Sequence, residues 1–104
     1  MLQTSPPRIN QATAMAQLFR ALSDPTRLKL MCLLLEERDL CVGELAARSD
    51  ISTPGTSQHL KLLELHGLAV RVRNGQKTCY QPNYVNPQAQ TLFDCIKTLE
   101  EDKS

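Results

Sequence analysis

The segment "STPGTSQHLKLLELHGL", Ser52 to Leu68, carries both ends of one helix. Ser52 or Thr53 is a good N-cap, Pro54 suits the first turn, and Gly67 is a good residue just past the end. The helix is therefore expected to run to about His66. Its front is crowded with small hydroxyl and amide side chains: Ser52, Thr53, Thr56, Ser57 and Gln58. Ser and Thr are mediocre helix formers, so propensity does not account for them. They are either ordinary caps or a surface that meets a polar partner, and the flanking segments weigh between the two.

On the N-terminal side, "RDLCVGELAARSD" (38–50) reads as a short extended piece followed by a helix from about Val42 to Arg48. "DISTP" breaks it. On the C-terminal side, "LAVRVRNGQKTCYQ" (68–81) alternates as strands do, with Asn74-Gly75 as the hairpin-turn signal. Arg71, Arg73 and Lys77 crowd that turn. A short helix, a tight turn, a second helix and a basic hairpin make the pattern of a winged helix-turn-helix.

Farther out, Met15, Leu18, Phe19 and Leu22 follow the i, i+3, i+4, i+7 spacing of an amphipathic helix. Asp24 and Pro25 start the next helix, in which "LKLMCLLLEE" is apolar nearly all round and is expected to be central and buried. "PNYVNP" is a loop. "QAQTLFDCIKTLEE" is a last amphipathic helix with Leu92, Phe93, Ile96 and Leu99 on one side. The expected fold is mainly α with a small β-hairpin, in the order α-α-α-α-β-β-α. Residues 1–10, polar and containing Pro6-Pro7, read as a flexible arm, and residues 11–104 as a single domain.

Length and composition fit that reading. A chain of 104 residues with 4 % aromatics and no Trp builds its core from Leu, Ile, Val, Met and Ala. Such a core is modest, which makes a homo-oligomer plausible. The formal net charge of +1 hides an asymmetry. Residues 52–81 hold Lys61, Arg71, Arg73 and Lys77 against Glu64 alone, between two acidic segments. An anionic partner needs such a patch. No signal peptide is evident, and no apolar run approaches the roughly 20 residues of a membrane span. The expected location is the cytoplasm, with no membrane partner.

A recognition helix places its N-terminal residues at base edges in the major groove of double-stranded DNA. Thr53, Thr56, Ser57 and Gln58 are small enough for close approach and can exchange hydrogen bonds. Gln pairs with adenine, and Thr methyls touch thymine methyls. The helix N-terminus also favours phosphate, and Gly55 leaves room for the backbone to come close. The candidate DNA-binding set is Ser52, Thr53, Thr56, Ser57, Gln58, His59 and Lys61 on the helix, with Arg73 and Lys77 on the wing.

The segments "ALSDPTRLKLMCLL", "LCVGELA" and "STPGTSQHLKLLELHGLAVRVRNGQKTCY" resemble the ArsR/SmtB family of bacterial winged-helix repressors over roughly Leu18 to Tyr80. Ser57-Gln58-His59-Leu60 and Gly67-Leu68-Ala69-Val70 carry the likeness most specifically. The resemblance implies a homodimer that binds operator DNA, represses transcription and is released by a metal ion, a metalloid or a thiol-reactive signal. It also implies that the first and last helices form the dimer interface, although the apolar stripes of residues 15–22 and 92–99 serve equally well as intramolecular core.

The four cysteines bear on the signal. In a reducing cytosol they are not a disulfide framework by default. Cys41 begins the third helix, where arsenic-sensing members carry C-V-C, but here Gly43 replaces the second thiol. A helix N-terminus favours the thiolate, so Cys41 is the candidate reactive thiol and the one candidate metal ligand; otherwise it is a half-buried capping residue. Cys32 reads as a small hydrophobe, yet resembles the cysteine that persulfide-sensing members carry on the second helix. Those members pair it with a cysteine near the end of the last helix, and Cys95 comes more than a turn too early. Cys79 reads as packing. The candidate sensor thiols are thus Cys41, with Cys32 or Cys95 as its partner.

His59 and His66 both lie on the reading helix, and the last helix has none. The Asp/His zinc site of many relatives is therefore not expected, and Asp94, Glu100, Glu101 and Asp102 read as a solvated face. Soft chemistry at sulfur is favoured: As(III), another thiophilic metal, persulfide or oxidant. The alternatives are a family member with no such inducer, or a winged-helix module used for protein contacts. No Gly-rich phosphate loop, paired-cysteine zinc motif or nucleophile elbow supports an enzyme.

Overall fold

The computed structural model describes residues 9, 11–37 and 39–101, the side chains of Glu100 and Glu101 excepted. Apart from Ile9, the arm expected over residues 1–10 lies outside the described residues, as does Asp102. The elements in chain order are α1 Ala12–Leu22, α2 Pro25–Glu37, β1 Leu40–Cys41, α3 Val42–Ser49, α4 Thr53–Leu65, β2 Ala69–Asn74, β3 Lys77–Pro82 and α5 Pro87–Glu101. This is the expected winged helix-turn-helix with one strand more. The short extended piece before α3 pairs with the hairpin, giving a three-stranded antiparallel sheet in the order β1-β3-β2.

Local chemistry sets the helix ends. Asp24 accepts the Arg27 N–H at 3.0 Å. That bond is the largest cause holding its carboxyl below the usual range; desolvation opposes it, and the Arg27 charge adds a smaller lowering. Ser52 Oγ accepts the Gly55 N–H at 3.1 Å. A Cβ at Gly55 would lie 3.0 Å from that oxygen, so the cap itself uses the room that Gly55 leaves. The turn between α3 and α4 passes through Asp50 at φ 59, the left-handed conformation that Asp tolerates better than most residues.

Helix α2 is the centre of the core. Its Leu30, Met31 and Leu34 are fully buried and pack with Leu45 of α3, Leu60 and Leu63 of α4, Tyr80 of β3, and Ala89, Leu92 and Phe93 of α5. Arg48 of α3 grips Glu37 at the end of α2 through two bonds, at 2.5 and 3.0 Å. The end of α4 is tied to the start of α5 at one oxygen. Gly67, at φ 77, offers its carbonyl to Asn83 Nδ2 at 3.0 Å and Asn86 Nδ2 at 3.1 Å. Asn86 Oδ1 in turn accepts the Gln88 N–H at 3.1 Å, capping α5.

The hairpin turns one residue later than expected. Asn74 pairs with Lys77, so the two-residue loop is Gly75-Gln76. Gly75 has φ 65, and Gln76 does not share a positive φ. A type II′ turn needs glycine only at its first central position, which explains the shift from an Asn-Gly loop. Among the described residues, no helix is long and apolar enough to cross a membrane.

Candidate nucleic-acid interface

Helix α4 presents two faces. Thr56, Leu60 and Leu63 are fully buried against the core. Ser52, Thr53, Pro54, Gln58 and Lys61 are exposed, and Ser57 is half-exposed between them. The helical period thus splits the expected reading set. Ser52, Thr53, Ser57, Gln58 and Lys61 share the outer surface. Thr56 does not belong there: it is 0 % exposed, its Oγ1 has no hydrogen-bond partner among the described residues, and it cannot reach a base. His59 is half-buried, with its Nδ1 3.5 Å from Arg27 Nη1, while Arg27 Nε donates to the Ala21 carbonyl at 2.7 Å. His59 therefore faces the α1–α2 junction and helps seat the helix.

The sheet register splits the wing in the same way. Arg71 lies opposite Tyr80 and Arg73 opposite Thr78, while Val72 lies opposite Cys79 and Asn74 opposite Lys77. Side chains alternate along a strand. Arg71, Arg73, Thr78 and Tyr80 consequently share the face turned toward α4, and Lys77 leaves from the other. A groove of about 450 Å³ runs between α4 and this face, with Ser57, Lys61, Arg71 and Thr78 in its walls. Arg71 Nε lies 3.8 Å from Glu64 Oε2, an exposed and weak pairing that leaves most of its donors available. Burial raises the pKa of the Tyr80 hydroxyl, which remains neutral in the groove wall. The arrangement suits a polyanion: hydrogen-bonding side chains at a helix N-terminus beside three cations.

The expectation for the cysteines needs correction. Cys41 does sit at the N-cap of α3, where its N–H donates to Glu44 Oε1 at 3.0 Å. Its sulfur, however, is bonded to Cys79, not to Cys32 or Cys95. Cys79 was expected only to pack. The signal that could have found the pair is the third strand: once β1 joins the sheet, Cys41 and Cys79 stand directly opposite each other. Cys32 is half-buried on α2 and Cys95 is exposed on α5. Among the described residues, no three His, Cys, Asp or Glu side chains converge on a metal position. As placed, the sulfurs do not fit a three-thiolate site.

The apolar stripes also divide. Leu18 and Leu92 are 4 % and 6 % exposed within one protomer and are core. Phe19 and Leu99, on the same helices, are 57 % and 64 % exposed.

Comparison with known proteins agrees with this geometry. The family model described as "Bacterial regulatory protein, arsR family" matches residues 24–70. The chain is 42 % identical over 88 residues to the arsenical resistance operon repressor of Escherichia coli, covering 84 % of this chain and 75 % of that protein. It spans only 54 % of some other curated relatives. Among solved structures it resembles the transcriptional repressor BigR of Xylella fastidiosa, with a TM-score of 0.77, 31 % identity and 93 % coverage of both chains. It shares its fold with a homodimeric winged helix-turn-helix domain of Mycobacterium bovis, with a TM-score of 0.75, 20 % identity, and 98 % and 92 % coverage.

Proposed function

We propose that this chain, which belongs to the arsR family of bacterial regulatory proteins, is a cytoplasmic repressor that binds operator DNA as a homodimer and is released by a signal acting at sulfur. The observation that carries the DNA reading is the shared outward surface of Ser52, Thr53, Ser57, Gln58 and Lys61, continued across the groove by Arg71 and, farther along the same strand face, by Arg73. Helix α4 enters the major groove with Gln58 at a base edge, and the wing follows the adjacent backbone. Two copies read half-sites about one helical turn, ~34–36 Å, apart.

Phe19 and Leu99 supply the apolar contacts for a second copy, since Leu18 and Leu92 are already used inside the protomer. The relevant thiols are Cys41 and Cys79, because these sulfurs lie together; a thiophilic ion would engage them only after reduction.

The test is titration of the protein onto a panel of duplexes at several salt concentrations, with sedimentation of the complex. A steep salt dependence and two chains per duplex are expected. Phe19→Asp should leave a folded monomer with weak binding, because the two half-sites are then no longer linked. A salt-independent affinity, or a monomeric wild-type protein on tight sites, contradicts the proposal.

A further inference from the structure

The hairpin is fastened to the rest of the chain by very little backbone. Strand β1 meets β3 in two residue pairs, Leu40 with Tyr80 and Cys41 with Cys79. A ladder this short is marginal in water. The second pair is closed covalently, across a sequence separation of 38. The loop it closes contains α3, α4 and β2, which is the whole reading motif.

We propose that Cys41 and Cys79 are a reversible dithiol–disulfide pair that clamps the wing to the head of the reading motif, closed by a peroxide and opened by a low-molecular-weight thiol. The regulatory consequence rests on the DNA-binding reading above; the pair and the clamp do not. Access assigns the two roles. Cys41 is half-exposed and lines an open cleft of about 400 Å³ with Val42, Gly43, Glu44, Lys77 and Thr78. Cys79 is 4 % exposed. The cleft holds one cation and one carboxylate, so the N-terminus of α3 adds the remaining bias toward the Cys41 thiolate.

That thiolate attacks one peroxide oxygen. The O–O bond breaks, and the departing alkoxide or hydroxide takes up a proton. Cys41 is left as the sulfenic acid. The Cys79 sulfur then attacks the Cys41 sulfur, the S–O bond breaks, and the oxygen leaves as water with the Cys79 proton. Two thiols and one peroxide thus give one disulfide, one water, and one alcohol or second water. Opening consumes two small thiols and returns their disulfide. In the closed form Arg71 and Arg73 are already held toward α4, so less ordering remains to oppose binding. The closed form binds duplex DNA more tightly, and a signal that opens the pair releases it.

The test uses the full chain, reduced with dithiothreitol and then treated with hydrogen peroxide. Peptide mapping should find a Cys41–Cys79 cross-link that dithiothreitol reverses. In Cys79→Ser, dimedone should label Cys41; in Cys41→Ser it should leave Cys79 unlabelled. Hydrogen exchange on the wild-type chain needs no substitution: amides of β3 should exchange at least about tenfold faster after reduction, with α2 unchanged. Affinity for a mixed-sequence duplex of about 40 base pairs should fall about tenfold on the same reduction. A cross-link through Cys32 or Cys95, thiols that resist peroxide, or equal β3 exchange in both states overturns the proposal. Responsive β3 exchange with equal duplex affinity in both states overturns its regulatory half. Responsive exchange with no duplex binding in either state leaves the clamp standing and removes the DNA reading.

Discussion

Helix α4 and the β2–β3 hairpin turn polar side chains toward the same groove, but different forces hold them. The helix is pinned by Leu60 and Leu63, both fully buried in the central core, and by a capped start. The hairpin has its own ladder and reaches that core only through Ala69 and Tyr80; beyond these it is held by a two-pair contact with β1 and one sulfur–sulfur bond. Burial fixes the rotation of the helix about its axis, and so decides which of its side chains can meet a partner. The wing is fixed in register while its attachment can be made or broken. A reader with one rigid and one adjustable element can keep its sequence preference while its affinity changes.

The largest effect should come from loosening the rigid element. Leu60→Ala should cost about 2–5 kcal/mol in urea unfolding, whereas Val72→Ala, half-buried in the wing, should cost much less. Equal losses would erase the distinction. Next, Gln58→Ala should cost roughly 1–3 kcal/mol at its base pair and narrow the ratio of operator to random-DNA affinity. An unchanged ratio would show that Gln58 does not read a base.

Ser52→Ala, which removes the cap, should lose about 1 kcal/mol of stability. Thr56→Val removes a buried hydroxyl with no partner among the described residues and should be neutral or stabilising by about 1 kcal/mol, with DNA affinity unchanged. A specific loss of binding in Thr56→Val would return that residue to the reading surface.

On the adjustable element the effects are smaller and uneven. Arg73→Ala should lower the salt slope of binding by about one, and Lys77→Ala by less, because the register sends the two side chains to opposite faces. Equal slopes would mean that the turn, rather than the strand face, meets the phosphates.

The smallest effect concerns pH. The folded-state pKa of Asp24 lies below its ordinary value of 3.8, chiefly through the Arg27 N–H. Its stabilising contribution is therefore present above about pH 3.8 and is lost as pH falls through the lower folded value. Asp24→Ala should melt below wild type at pH 6, and the gap should close in stronger acid. A gap that persists there would place the effect outside the carboxylate.

Much of this was legible because local chemistry marks helix ends. Asp24-Pro25, Ser52-Thr53-Pro54 and Gly67 delimit α2 and α4 nearly as read from the sequence. What was missed depended on contacts between distant segments. The helical pattern of residues 52–68 could not by itself send Thr56 inward while leaving Ser57 partly outside; the packing of Leu60 and Leu63 decides that. The Asn74-Gly75 signal located the hairpin but not its register, since either residue could open the loop. The apolar stripe of α1 did not reveal that Leu18 serves the protomer and Phe19 is left over. The cysteine pairing depended on a two-residue strand too short to carry a period of its own.

The Gly67 carbonyl joins two halves of the molecule at a single point. Asn86 donates to it with one end of its side-chain amide and caps α5 with the other. A Cβ at Gly67 would lie 2.9 Å from that amide nitrogen, on a backbone already at positive φ. One added methyl group would therefore unseat the cap of one helix while straining the end of another. Gly67 acts as a rivet: the rear of α4 and the front of α5 are fastened through it at a single point.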